Sequence, residues 1–370
     1  MAKKERGFFG KVIVFLLMVL AIIGVIAMAM SVICPYVNPQ RFVWLTFFGL
    51  AFWEIFLFNL LIFILLLLMW SRKVWIAVLA LVISIPGISK SFSFGSIKSK
   101  PSDGIKVMSY NVHTFKPIAD ETTSEEFCDK IINVVREQSP DILCCQEFSA
   151  YKKGVSRPQC IEDFAVSAGY SYVYYNRKNN YGGNVIFSKW PIAKVSEDSG
   201  FGQENLYGVM VSVDAGERGL FYLADVHLLS YMITDAEIDM LVRNSEHHTS
   251  LDTIGMTVVR KMKYAYERRS EEIGKVLNGM PPVDGPIVMC GDFNETPMSY
   301  VYRQMQKAGF VDAFTKVGWG IKPTYAGKLP LLRIDYMWGN DKVHPLRFKR
   351  CRVKASDHYP ILMDFELFNQ

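Results

Sequence analysis

The sequence predicts an α/β domain of two packed sheets with helices outside, preceded by an N-terminal helical region that crosses a membrane. Three observations carry this. Residues 1–100 hold ten Lys or Arg against two acids, a charge of +8, whereas the remaining residues come to −3. The long uninterrupted apolar runs lie in that first part. From residue 105 onward, short apolar runs alternate with amphipathic stretches, the pattern of buried strands separated by helices. A stretch of about 270 residues is enough to bury a core of that kind.

Residues 12–33 form an unbroken apolar run of 22 residues, which at ~1.5 Å per residue crosses a ~30 Å hydrocarbon core. It is too long for a signal peptide, and no small-x-small cleavage site follows it. After the turn-forming Cys34-Pro35-Tyr36-Val37-Asn38-Pro39, residues 42–70 make a second span. Residues 74–88 make a third, short or tilted, ending at Pro86-Gly87, with Phe92 and Phe94 lengthening its apolar footprint. Lys3, Lys4, Arg6 and Lys11 before the first span, and Arg72-Lys73 after the second, mark the cytoplasmic side. Three spans then put the large domain outside the cytoplasm, in an integral membrane protein. Lys90, Lys98 and Lys100 run against that pattern, and a re-entrant third segment would keep the domain in the cytoplasm. The expected organisation is a transmembrane region over 1–94, a linker over 95–104 rich in Ser, Lys and Gly, and a large folded domain over 105–370. Glu54 lies inside the second span with no second membrane acid or His nearby to form a relay, so it is read as a neutral or helix-paired group that fixes packing.

The whole-chain charge of +5 and pI near 8.7 suggest a nucleic-acid binder, but the basic excess flanks the apolar segments. The large domain is not a general trap for polyanions, and it shows no aromatic-basic stacking cluster. Seven cysteines occur without a CxxC pair or regular framework. Cys144, Cys145 and Cys290 sit in strand-like runs, where Cys behaves as a small hydrophobe.

Strands are expected at 105–110, 142–146, 184–188, 209–213, 220–226, 287–290, 336–338 and 361–365. Helices are expected at 125–137, ending before Pro140, and at 257–277. In the latter Val258, Met262, Ala265, Ile273 and Val276 recur at helical spacing, with Arg260, Lys261, Lys263, Arg268 and Arg269 largely off that face. That basic stripe reads as a solvated face.

Polar residues recur where these strands end: Ser109-Tyr110-Asn111-Val112-His113, Gln146-Glu147, Asp225-Val226-His227, Gly291-Asp292-Phe293-Asn294, Arg333-Ile334-Asp335-Tyr336 and Ser356-Asp357-His358. The six loops supply Asn, Asp, Glu and His, with no Cys pair and no nucleophilic Ser signature. Oxygen donors of this kind suit a hard cation, Mg²⁺ or Mn²⁺. Taken singly, an Asp-His pair is a surface turn or a satisfied core His, and Gly-Asp-Phe-Asn an Asx turn. Their order is what is specific.

Together with Gly-Gly-Asn-Val-Ile-Phe-Ser-Lys-Trp-Pro-Ile at 182–192, the set resembles the endonuclease/exonuclease/phosphatase superfamily, over residues 105–365. The resemblance implies a four-layer α/β sandwich, two packed mixed sheets flanked by helices, with divalent-metal phosphoester hydrolysis as its activity. It implies that Glu147, Asn111 and Asp357 form the metal side. It implies that Asp292 positions or deprotonates the attacking water, with His358 as the competing candidate for activating it, and that Asn294 holds a phosphate oxygen. His358 matches the catalytic His, oriented by Asp335, and His227 a second His that protonates the leaving oxygen or clamps the phosphate. Arg333 is a candidate for substrate phosphate, against a local salt bridge. His113 stands where abasic-site endonucleases of the family often carry Asp, which argues against that repair specificity. His247-His248 reads as exposed.

The expected activity is therefore metal-assisted, in-line attack of water on a phosphodiester or phosphomonoester, with nucleic acid, a phospholipid headgroup or a soluble ester as substrate. The rival from another class is an inactive, membrane-tethered binding or scaffold protein of the same fold, disfavoured because all six loops are filled. The bilayer is the other expected partner, and no protein partner is inferred.

Overall fold

The computed structural model describes residues 7–95, 103–116, 123–175, 183–195, 207–233, 237, 248–327, 331–353 and 355–368. Most of the expected linker, Gly182, His247 and the lysines at 3, 4, 98 and 100 with Arg6 lie outside the described residues, as does the side chain of His248. The chain forms two compact units, Met1–Ser91 with Thr296–Arg303, and Phe92–Glu295 with Gln304–Gln370.

In the first unit, α1 (Phe8–Ile33) runs into a 3-10 turn at Cys34–Tyr36. Together they make one helix long and apolar enough to cross a membrane. Asn38 caps α2 (Pro39–Phe42) by accepting from the Gln40 N–H. The 42–70 segment, expected as one span, is not straight. It divides into α3 (Trp44–Leu50) and α4 (Phe52–Leu68), bent by 65° at Ala51. The third segment divides likewise into α5 (Val74–Ile83) and α6 (Ile85–Ser91), bent by 45° just before Pro86. By length and composition the unit holds up to three spans if each bent pair is one. Buried Asn59 on α4 donates to the Gly24 carbonyl of α1 at 3.1 Å, and a Cβ at Gly24 would stand 2.3 Å from the Asn59 amide oxygen. A missing side chain on one helix thus admits a polar one from the next, as in helix pairs packed in lipid. Glu54 is exposed in the first turn of α4 and does not fix the packing.

The second unit carries two mixed six-stranded sheets. Its strands are β1 (Ser93–Phe94), β2 (Ile105–Asn111), β3 (Ile142–Gln146), β4 (Tyr172–Tyr175), β5 (Val185–Ser188), β6 (Ile192–Lys194) and β7 (Gly208–Asp214), then β8 (Leu220–His227), β9 (Ile287–Asp292), β10 (Val311–Asp312), β11 (Trp319–Gly320), β12 (Asp335–Gly339), β13 (Val343–Arg350) and β14 (Ile361–Leu367). One sheet runs β13-β14-β2-β3-β5-β4, the other β10-β12-β9-β8-β7-β6. The pairs β2/β3 and β8/β9 are parallel, and every other neighbouring pair within the two sheets is antiparallel.

Strand periodicity decides which side chains face which layer. Ile105, Val107, Ile142 and Cys144 turn inward against Val211, Leu223, Val288 and Cys290 of the other sheet. Met108, Tyr110, Leu143 and Cys145 turn outward against α7 (Ser124–Gln138) and α8 (Arg157–Ala168). Thr123 and Glu126 form a capping box on α7, which ends at Ser139 in the left-handed conformation before Pro140. Helix α9 starts at His248 and runs to Asn278, longer than expected at its beginning. Two short helices, α10 (Tyr300–Lys307) and α11 (Ala313–Val317), follow it. Strand β13 was not anticipated: it is a polar edge strand with Pro345 at a register shift, features that weaken an alternating signal.

Candidate functional site

Register assembles the site. The two parallel pairs each send their carboxyl ends the same way, with Asn111 beside Gln146 across β2/β3 and His227 beside Asp292 across β8/β9. Antiparallel β12 sets Asp335 beside Asp292 on the other flank. His227, Asp292 and Asp335 therefore stand abreast on three neighbouring strands. That register needs Gly291, whose φ is +135° and where a Cβ would lie 1.8 Å from the Val226 carbonyl oxygen. Beyond the strand ends Glu147 (φ 57°) and Asn294 (φ 52°) adopt left-handed backbone, a cost that folds carry mainly where a side chain must be aimed.

The Asn111 Nδ2 donates to Glu147 Oε1 and to Asp292 Oδ2, both at 3.1 Å, and so ties the two sheets' carboxylates together. Its oxygen accepts the His113 N–H at 3.0 Å. Asn111 is thus a bridge between carboxylates here, its nitrogen rather than its oxygen facing the expected metal side. The Asn294 Nδ2 donates to the Leu228 carbonyl at 3.0 Å and to Asp292 Oδ2 at 3.1 Å, and its backbone N–H donates to Asp292 Oδ1 at 2.8 Å. With both amide hydrogens engaged in this structure, Asn294 holds Asp292 in place. The His227 Nε2 is buried, 3.7 Å from Glu147 Oε1 and 3.9 Å from Asp292 Oδ2. His358 Nδ1 hydrogen-bonds Asp335 Oδ2 at 3.0 Å, and its Nε2 lies 3.6 Å from Asp292 Oδ2. Asp357 faces the His113 Nδ1 at 3.2 Å, and the neighbouring Ser356 hydroxyl donates to the Asn111 carbonyl at 2.7 Å.

Arg333 lies elsewhere in its surroundings. It is buried, 2.7 Å from Asp312, with Phe314 and Tyr336 each 4.5 Å from its guanidinium. The salt-bridge alternative therefore accounts for it, and its charge is not presented to a substrate. Sequence reasoning also missed Thr324 and Tyr325. The Thr324 hydroxyl accepts the N–H groups of Ile334 and Asp335, both at 3.0 Å, and Tyr325 forms a bridge with His358 and packs edge-on against its ring. No local pattern marks them, because their partners are ten or more residues away.

Burial pushes the Asp292 carboxyl up to about 6 against the opposing pull of His358. Burial works against protonation of His358, yet the Asp335 and Asp292 carboxylates and the Asp335 hydrogen bond outweigh it and hold the imidazole well above its ordinary value. Burial raises Glu147 too, but His227 and the Asn111 hydrogen bond outweigh that and keep it below the usual range. The centre thus pairs a cationic imidazole with two carboxylates, one poised close to neutrality.

Among the described residues, two groups of three or more bring ligating atoms within 4.8 Å of one another: Asp292, Asp335 and His358, and separately Cys144, Asp225 and Cys290. In the first, His358 and Asp335 already engage each other, which fits an oriented imidazole better than two ligands. Glu147, anionic and about a quarter exposed, has an open face and fits a hard divalent cation beside the more buried Asp292. The second group lies between the sheets, where burial pushes both thiols and Asp225 upward, and the three behave as neutral packing groups.

The Endonuclease/Exonuclease/phosphatase family profile matches residues 108–358. A profile described only as a domain of unknown function matches residues 11–91. No curated protein matches the chain. Among solved structures, an endonuclease/exonuclease/phosphatase from Beutenbergia cavernae is 20% identical, covering 71% of this chain and 71% of its own, with a TM-score of 0.47. The human Nocturnin catalytic domain with bound sulfate is 18% identical, covering 71% and 93%, with a TM-score of 0.45. The 3′ phosphatase NExo from Neisseria, bound to a product DNA hairpin, is 16% identical, covering 71% and 99%, with a TM-score of 0.46.

Proposed function

The chain belongs to the endonuclease/exonuclease/phosphatase family, and on that premise we propose that it is a membrane-anchored, Mg²⁺-dependent phosphoesterase that hydrolyses a phosphate ester by in-line attack of water. The observation that carries this reading is the Asn111 bridge, which joins Glu147 of one sheet to Asp292 of the other beside His227 and the His358–Asp335 pair.

Glu147 and Asp357 would hold the cation, with Asn111 orienting Glu147. When bound, a divalent cation supplies neutralisation of phosphoryl charge and Lewis-acid activation. Asp292, fixed by Asn111 and Asn294, accepts the proton of the attacking water as the new O–P bond forms. His358, charged and steadied by Asp335, stabilises the negative charge that develops on the phosphoryl oxygens. His227 delivers a proton to the leaving oxygen as the second P–O bond breaks. Water thus adds across the ester with no covalent enzyme intermediate.

The domain boundaries at 94 and 104, three spans with the hydrolytic domain on the extracytoplasmic side, and Mg²⁺ over Mn²⁺ form part of the same reading. Nucleic acid, a phospholipid headgroup and a soluble ester are the substrate classes it admits. Purified full chain, assayed with Mg²⁺, Mn²⁺ or chelator against plasmid DNA, RNA, sphingomyelin and phosphoinositides, tests it. Metal-dependent release of product from one class supports the proposal, and inactivity against all with intact fold favours the scaffold alternative.

A further inference from the structure

Lys90 is one of three basic residues, with Lys98 and Lys100, that break the positive-inside pattern after the third apolar segment. Its surroundings give it a reason to be there. Lys90 Nζ lies 6.0 Å from the centre of the Tyr36 ring and 5.8 Å from that of Tyr302, and the Arg303 guanidinium lies 5.1 Å from the same Tyr36 ring. All four residues belong to the first unit, since Thr296–Arg303 packs with it. Tyr302 is buried, Tyr36 is 61% exposed, and Lys90 and Arg303 are each half-buried.

Position supplies the second observation. Tyr36 closes the α1 helix and Lys90 sits in the last turn of α6. If each bent pair is one span, those two ends emerge on one side, and their meeting over a shared ring agrees with this. Aromatic rings and cations at span ends sit at headgroup depth. Lys90 and Arg303 both lie within cation–π range of the Tyr36 ring, and an anion held by both offsets the repulsion of their like charges. Glu54 is the single acid among the described residues of the unit, against Lys11, Arg41, Arg72, Lys73, Lys90 and Arg303.

We infer that Lys90 and Arg303, mounted on Tyr36 and Tyr302, form a binding site for the phosphate of an anionic phospholipid. The inference rests on the membrane reading of residues 8–91, not on the hydrolytic one. The shared chemistry is a phosphate anion, and the lipid is its source because the site stands at span ends.

The test uses full chain in vesicles of phosphatidylcholine with 20 mol% phosphatidylglycerol, a composition chosen for the assay on the order of natural anionic surfaces. Flotation first reports membrane insertion. Native mass spectrometry after mild detergent release then reads retained phosphatidylglycerol over phosphatidylcholine. Wild type is expected to prefer phosphatidylglycerol, with K90Q and R303Q each lowering the preference about fivefold and R303K keeping it. R72Q and K73Q, basic changes in the loop between the second and third segments, should leave it unchanged. Size-exclusion profiles establish that each variant folds. Equal loss in R72Q or K73Q, no loss in K90Q and R303Q, or displacement by millimolar inorganic phosphate would each overturn the lipid site. A chain that fails to float overturns the membrane reading and the site with it, whatever its hydrolytic activity.

Discussion

His358 and Asp335 form a buried pair in which the imidazole Nδ1 donates to the carboxylate at 3.0 Å and the ring is thereby aimed, through Nε2, at Asp292. Asp335 owes its position to β12, whose register sets it beside Asp292, and to the Thr324 hydroxyl that accepts its N–H. Strand β12 thus fixes the Asp335 half of the pair, and His358 comes to it from the loop before β14, bridged to Tyr325.

Asp335→Asn keeps the shape but removes the charge that holds His358 protonated and oriented. The expected result is a fall in kcat of about 10²–10⁴-fold with KM and melting temperature little changed. A kcat within about threefold of wild type would remove the orienting role.

Asp292, pushed up to about 6 by burial, must be anionic to accept a proton. kcat/KM should accordingly rise with pH through about 6 and level off above it. A divalent cation nearby draws that limb lower, never higher, because positive charge favours the carboxylate. A profile measured at two Mg²⁺ concentrations checks both statements, and an acid limb that moves upward with added metal speaks against Asp292 as the base.

Asp225 is wholly buried, accepting Gln146 Nε2 at 2.5 Å, and burial holds its carboxyl well above the usual range. An acid raised on folding binds more protons in the native state. Its stabilising contribution is full below the unfolded value of about 3.9 and is lost as pH rises toward the folded value. Asp225→Asn escapes this loss. The variant should gain stability relative to wild type between pH 5 and pH 8, by about 1.4 kcal/mol per pH unit at most. Chemical denaturation of both proteins across that range reads the slope, and parallel curves would mean that Asp225 is ionised inside the fold.

Arg269 is fully buried, 2.9 Å from Glu295, with the Tyr231 ring 4.2 Å and the Tyr266 ring 5.0 Å away. It also donates to the Leu229 carbonyl and so clamps the turn after His227 to the turn after Asn294. Arg269→Leu strands a buried carboxylate, with an expected cost of about 3–5 kcal/mol. Adding Glu295→Leu should recover part of it. Melting temperatures of the two variants check the order, and a double variant less stable than the single would contradict it.

Much of this was readable in the sequence because it depends on local chemistry. The eight expected strands all form, since their apolar runs are short and bounded by turn residues, and the polar ends of β2, β3, β8 and β9 carry Asn111, Glu147, His227 and Asp292. What could not be read depends on contacts between distant residues. Arg333 looked available until Asp312, remote in sequence, proved to hold it. Nothing in the Gly-Asp-Phe-Asn motif marks the Leu228 carbonyl that takes one amide hydrogen of Asn294. The bends at Ala51 and before Pro86 interrupt runs whose hydropathy shows no break. Helix α9 outran its expected start because the polar residues before 257 carry no apolar stripe.

The central claim is that Glu147 anchors a divalent cation for hydrolysis. Its most direct test is Mg²⁺-dependent turnover of a phosphodiester by purified full chain, compared between wild type and Glu147→Ala at matched melting temperature. The account predicts activity in wild type that chelator abolishes, and a loss of at least about 100-fold in the variant. Near-normal, metal-dependent turnover in Glu147→Ala would contradict it.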